Sequence, residues 1–384
     1  MGAARRIGLI YSYNENWIGG TYYVENIVKS LAYLSEEQQP ELLVYTNVPK
    51  RYADLKSASG YSKMSCFDLS LPNNLFTRVK RKLANSIKLS FLEDRPYGKT
   101  IDYLFPNGGG FLFQKIPSRK IIYWIPDFQE LRLPDYFSRE EQSKRIGKHK
   151  TIAASTNKVV FSSEAALKDY KHFYPNHTTE NFVIPFAVHM AASRFSQAEI
   201  ETVKIKYDVN EPFCIIPNQL WKHKNHLVVM DAVALLKKKG KSVLILNSGK
   251  EEDFRFPNHP NDLKMRAADL GVQDVFKFLG FIPKRDLDIL IFAADIILQP
   301  SLFEGWNTGI EEAKSQNKYI LASNIDVHQE QLKNYPNSKL FKVSDAEDLA
   351  EQLEVLLDQK PSVEKYNYTN DILSFARSLC KMWS

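Results

Sequence analysis

Short apolar runs alternate with helical patterns along the whole chain. Arg6 to Tyr13 reads as a first strand, followed by a Gly19-Gly20 turn and an amphipathic helix over Thr21 to Leu34. Glu41 to Tyr45, Ile101 to Phe105, Ile121 to Trp124 and Lys158 to Phe161 are further strand-like runs, with a helical pattern at Ser163 to Phe173. The pattern then restarts. Phe213 to Pro217, Val243 to Asn247, Phe276 to Leu279, Ile296 to Pro300 and Tyr319 to Ala322 read as strands, with a helix over Leu227 to Lys239. Strands alternating with helices predict parallel βαβ units with right-handed crossovers. An α/β unit occurring twice predicts two Rossmann-like, doubly wound domains with a cleft between them: residues 1–188 and residues 189–365. A linker is expected at Pro185 to Ser196, leading into a helix over Gln197 to Lys206. In the tail, 366–384, Ile372, Phe375 and Leu379 recur at helical spacing, which predicts a last helix packing back on the first domain.

Composition narrows this picture. A chain of 384 residues exceeds one ordinary core, in keeping with two domains. Cys66, Cys214 and Cys380 are far apart and have no ligand spacing, so they read as thiols of a reducing compartment, not as a disulfide or zinc framework. No apolar run approaches the roughly 18 residues that span a bilayer. Gly8 to Tyr13 is too short and polar for a signal core, and Arg6 stands where myristoylation wants Ser or Thr. A cytoplasmic location is expected. The net charge of +6 is uneven: residues 1–188 carry 26 Lys and Arg against 18 Asp and Glu, a net of +8, leaving −2 for the remainder. The two halves are expected to meet different partners. The charge is mild and no reader motif accompanies it, so nucleic acid is not among them.

The strongest chemical signal lies between Pro300 and Glu312. The strand Asp295-Ile-Ile-Leu-Gln-Pro300 runs into the loop Ser301-Leu-Phe-Glu304-Gly305-Trp306-Asn307, and a helix follows from Thr308. Thr308 with Glu311 fits a capping box. In open α/β sheets, ligands collect at the carboxyl ends of strands, where a helix N-terminus offers free N–H groups to a diphosphate. Gly305 permits close backbone approach. Glu304 is placed to meet a sugar hydroxyl and Glu312, one turn into the helix, a ribose diol. The plain alternative is a surface loop with two solvated glutamates.

Gln299-Pro-Ser-Leu-Phe-Glu-Gly-Trp-Asn-Thr-Gly-Ile-Glu-Glu-Ala313, with Tyr319-Ile-Leu-Ala-Ser-Asn-Ile-Asp-Val-His-Gln-Glu330 after it, resembles the donor-site signature of family-four retaining glycosyltransferases. The resemblance implies a GT-B fold, with a nucleotide-sugar donor held mainly by the second domain and no metal or other cofactor. By position it makes Glu304 the glutamate that contacts the donor sugar and stabilises positive charge at the anomeric carbon. Glu312 becomes the ribose-binding glutamate, and Gly305, Trp306, Asn307 and Thr308 the turn around sugar and phosphate. Lys224, in Pro217-Asn-Gln-Leu-Trp-Lys-His-Lys224, matches the phosphate-binding lysine, while Gln219 replaces the family's arginine. A glutamine donates a hydrogen bond but no charge. Lys222 or His223 compensates, or one cation fewer binds the phosphate. Phe281 falls in the loop whose backbone reads the nucleobase, with core packing as the other reading of its side chain. Gly20 falls beside the phosphate or the acceptor.

In Tyr123-Trp-Ile-Pro-Asp127, only Asp127 matches the family's first-domain element facing the reaction centre, and three roles stay open: acceptor binding, proton acceptor, or helix cap. His189 reads as structural and Gly108-Gly-Gly110 as a turn. Phe76 to Leu89, with its basic residues from Arg78 to Lys88, reads either as a surface for anionic lipid, with the enzyme peripheral at the inner face of the membrane, or as a solvated lid. The expected activity is retaining, metal-independent transfer of a sugar to a glycan or lipid-linked acceptor in surface polysaccharide synthesis. Two other readings remain: a GT-B sugar-nucleotide epimerase, which wants paired carboxylates and histidines at the sugar, and a GT-B protein that binds without turnover.

Overall fold

Parallel strands covered by helices on both faces must be apolar on both, and the central strands show this: Phe213–Ile216 and Ile296–Gln299 are buried at every position. The computed structural model describes residues 5–13, 18–69, 101–107, 116–189 and 195–384. The first lobe holds β1 (Arg6–Tyr11), β2 (Glu41–Thr46), β3 (Met64–Asp68), β4 (Tyr103–Asn107), β5 (Ile121–Ile125), β6 (Lys158–Phe161) and β7 (Glu180–Val183), in the order β3-β2-β1-β4-β5-β6-β7. The second holds β8 (Phe213–Ile216), β9 (Leu244–Asn247), β10 (Phe276–Phe278), β11 (Ile296–Gln299), β12 (Tyr319–Ser323) and β13 (Ser338–Phe341), in the order β10-β9-β8-β11-β12-β13. All the pairings are parallel. Two Rossmann-like sheets make this the GT-B fold. Each sheet reverses its winding once, between β1 and β4 and between β8 and β11, and the crevices at such switch points are where ligands bind.

The chain crosses between lobes twice. After β7 it passes Phe186 and Val188 and enters the helix Gln197–Lys206, whose start is fixed by a capping box between Ser196 and Glu199. It returns through Tyr368 into the last helix, Thr369–Trp383. That helix buries Ile372, Phe375, Ala376, Leu379, Met382 and Trp383 in the core of the first lobe. The Lys158 ammonium donates to the Met382 carbonyl at 2.7 Å.

Some local expectations change. The first helix runs Ile18–Leu31, so Gly19 and Gly20 lie in its opening turn and not in a turn before it. The Thr21 hydroxyl, next in the helix, donates to the Ser12 carbonyl at 2.9 Å and ties that turn to the end of β1. Among the described residues no helix is long and apolar enough to cross a membrane. The basic stretch Arg78 to Lys88 and the Gly108 to Gly110 run lie outside the described residues.

Candidate functional site

Two loops flank the switch point of the second sheet. After β8, Lys222–Lys224 form a short 3-10 turn, and Asn225 takes a left-handed conformation (φ 56°) before the helix His226–Lys238. After β11, residues 300–307 lead into the helix Thr308–Ser315. The loops meet through Lys224, whose ammonium lies 2.6 Å from Glu304 Oε1; the two side chains are 17% and 10% exposed. The same oxygen accepts from Ser301 Oγ at 2.6 Å and from Asn307 Nδ2 at 3.3 Å. Glu304 Oε2 has no protein partner among the described residues.

The helix after Glu304 is capped by Asn307, not by Thr308. Asn307 keeps extended backbone angles and its Oδ1 accepts from the Ile310 amide at 3.2 Å, which makes Thr308 the first helical residue. Its Nδ2 also reaches Gln299 Oε1 at 3.0 Å and His328 Nε2 at 3.2 Å. His328 Nδ1 lies 2.9 Å from the Ser323 carbonyl, so the proton sits on Nδ1 and Nε2 accepts. Burial pushes the His328 pKa down to about 4, so the ring is neutral. The amides of Thr308 and Gly309 have no intrahelical acceptor, and an anion set against them meets the positive end of the helix dipole.

Glu311, expected in the capping box, is instead fully buried between Lys314, Gln331 and Tyr368. Glu312 pairs with Lys284 at 3.0 Å, its own side chain 13% exposed. Burial works to lower the Lys284 pKa, but Glu312 and then Asp288 outweigh it and raise it. Sequence reasoning missed Lys284, which begins a different helix, Lys284–Ala293, and carries no local motif.

The loop after β8 makes several further contacts. Gln219 is half-buried, and its side chain has no partner among the described residues. A Cβ on Gly249 would overlap the Asn218 carbonyl, which shows how closely the loops after β8 and β9 approach. The Lys222 ammonium sits 4.4 Å from the Phe256 ring centre and 5.5 Å from that of Tyr136, across the cleft. His223 is buried; burial and then Lys224 depress its pKa well below the usual value, so it stays neutral and does not replace the missing arginine charge. Phe281 is 68% exposed and follows Gly280, whose φ of 68° turns the loop.

The first lobe closes on this site at Gly305. A methyl group there would overlap the Pro126 carbonyl oxygen and come within 2.8 Å of the Asp127 Cβ. Ser163 Oγ donates to the Gly305 carbonyl at 3.0 Å, and the Trp306 indole N–H donates to Phe186 O at 2.9 Å, so that the Trp306 ring anchors the loop to the crossover. Glu330 accepts from the amides of Glu164 (2.9 Å) and Ala165 (3.3 Å), at the N-terminus of the first-lobe helix Glu164–Phe173. At the far edge Arg255 pairs with Glu141 at 2.7 Å. Asp127 lies in the middle of this interface, accepting from the Gln129 amide at 3.1 Å and pairing with Arg145 at 3.2 Å. It therefore satisfies the first amide of the short helix Gln129–Arg132, whose N-cap residue is Phe128, and also faces the loop of Glu304. Gly20, in the first turn of its helix, lies past the carboxyl end of β1, at the first sheet's switch point. His189 belongs elsewhere, beside Tyr33 and Lys29 on a cavity of about 260 Å³. Among the described residues no group of three His, Cys, Asp or Glu side chains is placed to hold a metal ion.

Residues 198–371 match the family model of glycosyl transferases group 1. No curated protein matches the chain by sequence. Solved structures resemble it over nearly all of its length. A glycosyltransferase from Rickettsia africae superposes with a TM-score of 0.63 at 16% identity, covering 100% of this chain and 94% of its own. Anabaena HepE, in complex with UDP and glucose, gives 0.64 at 17% identity, covering 98% and 95%. WaaG, a glycosyltransferase involved in lipopolysaccharide biosynthesis, gives 0.59 at 14% identity, covering 97% and 95%.

Proposed function

We propose that this chain, whose residues 198–371 belong to glycosyl transferases group 1, moves a sugar from a nucleotide-sugar donor to a glycan or lipid-linked acceptor with retention of anomeric configuration. The observation that carries the reading is the contact between Lys224 and Glu304 at the second sheet's switch point, one loop away from the free amides of a helix N-terminus. One cation and a helix dipole suit a diphosphate, and a carboxylate beside them suits the sugar that the diphosphate carries. UDP-bound HepE, a protein of the same fold, supports a nucleotide diphosphate as the leaving group.

In this reading the diphosphate lies on Lys224 and on the amides of Thr308 and Gly309, with Gln219 giving a neutral hydrogen bond. Glu312 takes the ribose diol, and Lys284 holds it in place. The sugar lies against Glu304, and Phe281 borders the base. The acceptor enters from the first lobe, where Asp127 and Gly20 face it. The bond from the anomeric carbon to the phosphate oxygen breaks while the acceptor oxygen bonds the same face, and the acceptor proton passes to a donor phosphate oxygen. Glu304 stabilises the positive charge that builds at the anomeric carbon. Lys224 and the helix N-terminus supply the charge that a divalent ion would otherwise bring, so transfer proceeds without a metal. WaaG supports a place in surface polysaccharide synthesis. The basic residues from Arg78 to Lys88 fit peripheral contact with an anionic membrane that presents the acceptor.

The test is a panel of nucleotide sugars incubated with the protein, with and without chelator, followed for free nucleotide and for the configuration of the sugar. Chelator-resistant nucleotide release with retained configuration supports transfer. Isomerised donor makes the protein an epimerase, and binding with no turnover makes it a binding protein.

A further inference from the structure

Glu304 is held by more than its own loop. Its neighbour Asn307, which donates to Oε1, is gripped through its main chain by the Gln331 amide: the Asn307 N–H donates to Gln331 Oε1 at 3.0 Å, and Gln331 Nε2 donates to the Asn307 carbonyl at 3.1 Å. Gln331 Nε2 also donates to Glu311 Oε1 at 3.0 Å. The other oxygen of Glu311 accepts from the Tyr368 hydroxyl at 2.7 Å. That hydroxyl in turn accepts from the Val188 amide at 2.9 Å. Asn307, Gln331, Glu311, Tyr368 and Val188 are all buried. Val188 lies on the outgoing crossover between lobes, and Tyr368 on the returning one.

We propose that Tyr368 is a positioning residue that ties the arrangement of both crossovers, through Glu311, Gln331 and Asn307, to the carboxylate of Glu304. Three features set this chain of contacts apart from ordinary core satisfaction. Glu311 is a buried carboxylate, which desolvation penalises heavily unless its partners stay in place. Lys314, on the same helix, holds it at 3.2 Å, and Asp371, at the start of the returning helix, holds Lys314 at 3.3 Å. The tyrosine hydroxyl serves as donor toward one lobe's site and as acceptor toward the hinge, so a shift of either crossover breaks one of two charged or buried bonds. Gln331 is clamped at both ends, so displacing Glu311 moves Asn307 and not solvent. Interlobe movement thereby acts on Glu304 by removing its Asn307 donor. The proposal rests on the transferase reading only for its consequence, since the coupling itself is a property of the fold.

The experiment therefore has two arms. In the first, amide hydrogen exchange of the full chain is followed in Tyr368→Phe, in Gln331→Met and in the double variant. Faster exchange at residues 303–310 in both single variants is expected, with unchanged exchange in β8 and β9. The double variant is expected to be no faster there than Gln331→Met alone, because both changes break one chain of contacts. A Tyr368→Phe effect confined to 186–188 and 366–372, an additive double variant, or uniform acceleration throughout the protein overturns the coupling. In the second arm nucleotide-sugar cleavage is measured: Tyr368→Phe is expected to lower kcat about tenfold and leave KM within about twofold. A wild-type protein that cleaves no donor defeats the transferase reading while the exchange result still decides the coupling. Unchanged kcat in Tyr368→Phe, with an active wild type, overturns the proposal.

Discussion

The Lys224 ammonium and the Glu304 carboxylate, 80 residues apart in sequence, lie 2.6 Å from each other where the loops after β8 and β11 converge. Each holds the other, and a bound diphosphate would take over the lysine. Lys224→Met is expected to cut nucleotide-sugar cleavage by about 100-fold or more, because the charge that meets the leaving group is gone. It also leaves Glu304, only 10% exposed, without its cation, which is expected to cost about 1–3 kcal/mol in urea unfolding. Full activity in this variant would show that the leaving group is stabilised elsewhere.

Gly305→Ala tests the closed arrangement. The added methyl overlaps the Pro126 carbonyl oxygen, which is main chain and does not swing aside. Because the collision lies between lobes, the variant is expected to keep its melting temperature within a few degrees and its affinity for UDP, used as a probe. Donor cleavage is expected to fall by about 100-fold through misplacement of the reacting groups. Small-angle scattering should show a more open particle; an unchanged profile with unchanged activity contradicts the close approach.

Glu312→Gln separates binding from chemistry. A carboxylate on a ribose diol contributes equally before and at the transition state, so its loss raises KM by about tenfold and leaves kcat nearly unchanged. Lys284→Ala is expected to do the same more weakly, since it acts by holding Glu312.

The buried His328 makes stability depend on pH. Its folded pKa, about 4, lies below the 6.5 usual for a histidine, so the unfolded chain binds the proton more tightly. The stability from this group is complete above pH 6.5 and is lost as the pH falls through about 4, by about 3 kcal/mol in all. His226, driven down to about 3 by burial, adds in the same direction. Urea unfolding between pH 7 and pH 4 should show this slope, and His328→Gln should make it shallower. An equal slope in the variant would place the effect elsewhere.

The parallel strands at the centre of each sheet were legible in the sequence because, covered on both faces, they form unbroken apolar runs such as Phe213 to Ile216. The edges were less so: in β3, Ser65, Cys66 and Asp68 are exposed and leave no run to read. The stretch from Pro300 to Glu312 stood out locally, as a strand, a glycine loop and a helix start. Its cap was misplaced by one residue because Asn307 and Thr308 are both capping types, and Glu311 stood at the spacing of a capping box. Two of the partners that hold Glu311 inward, Gln331 and Tyr368, lie 20 and 57 positions away, which no local spacing reports. Lys284 and the approach of Gly305 to Pro126 were invisible for the same reason: each depends on elements brought together only by the fold.

Glu304→Gln assayed against the nucleotide-sugar panel, with chelator present, tests the central claim most directly. Glutamine keeps the shape of the side chain and removes only its charge. The account predicts a wild type that releases nucleotide without a metal and transfers the sugar with retained configuration, and a variant at least 100-fold slower that still binds the nucleotide. A variant as active as the wild type, or activity that disappears with the chelator, would contradict it.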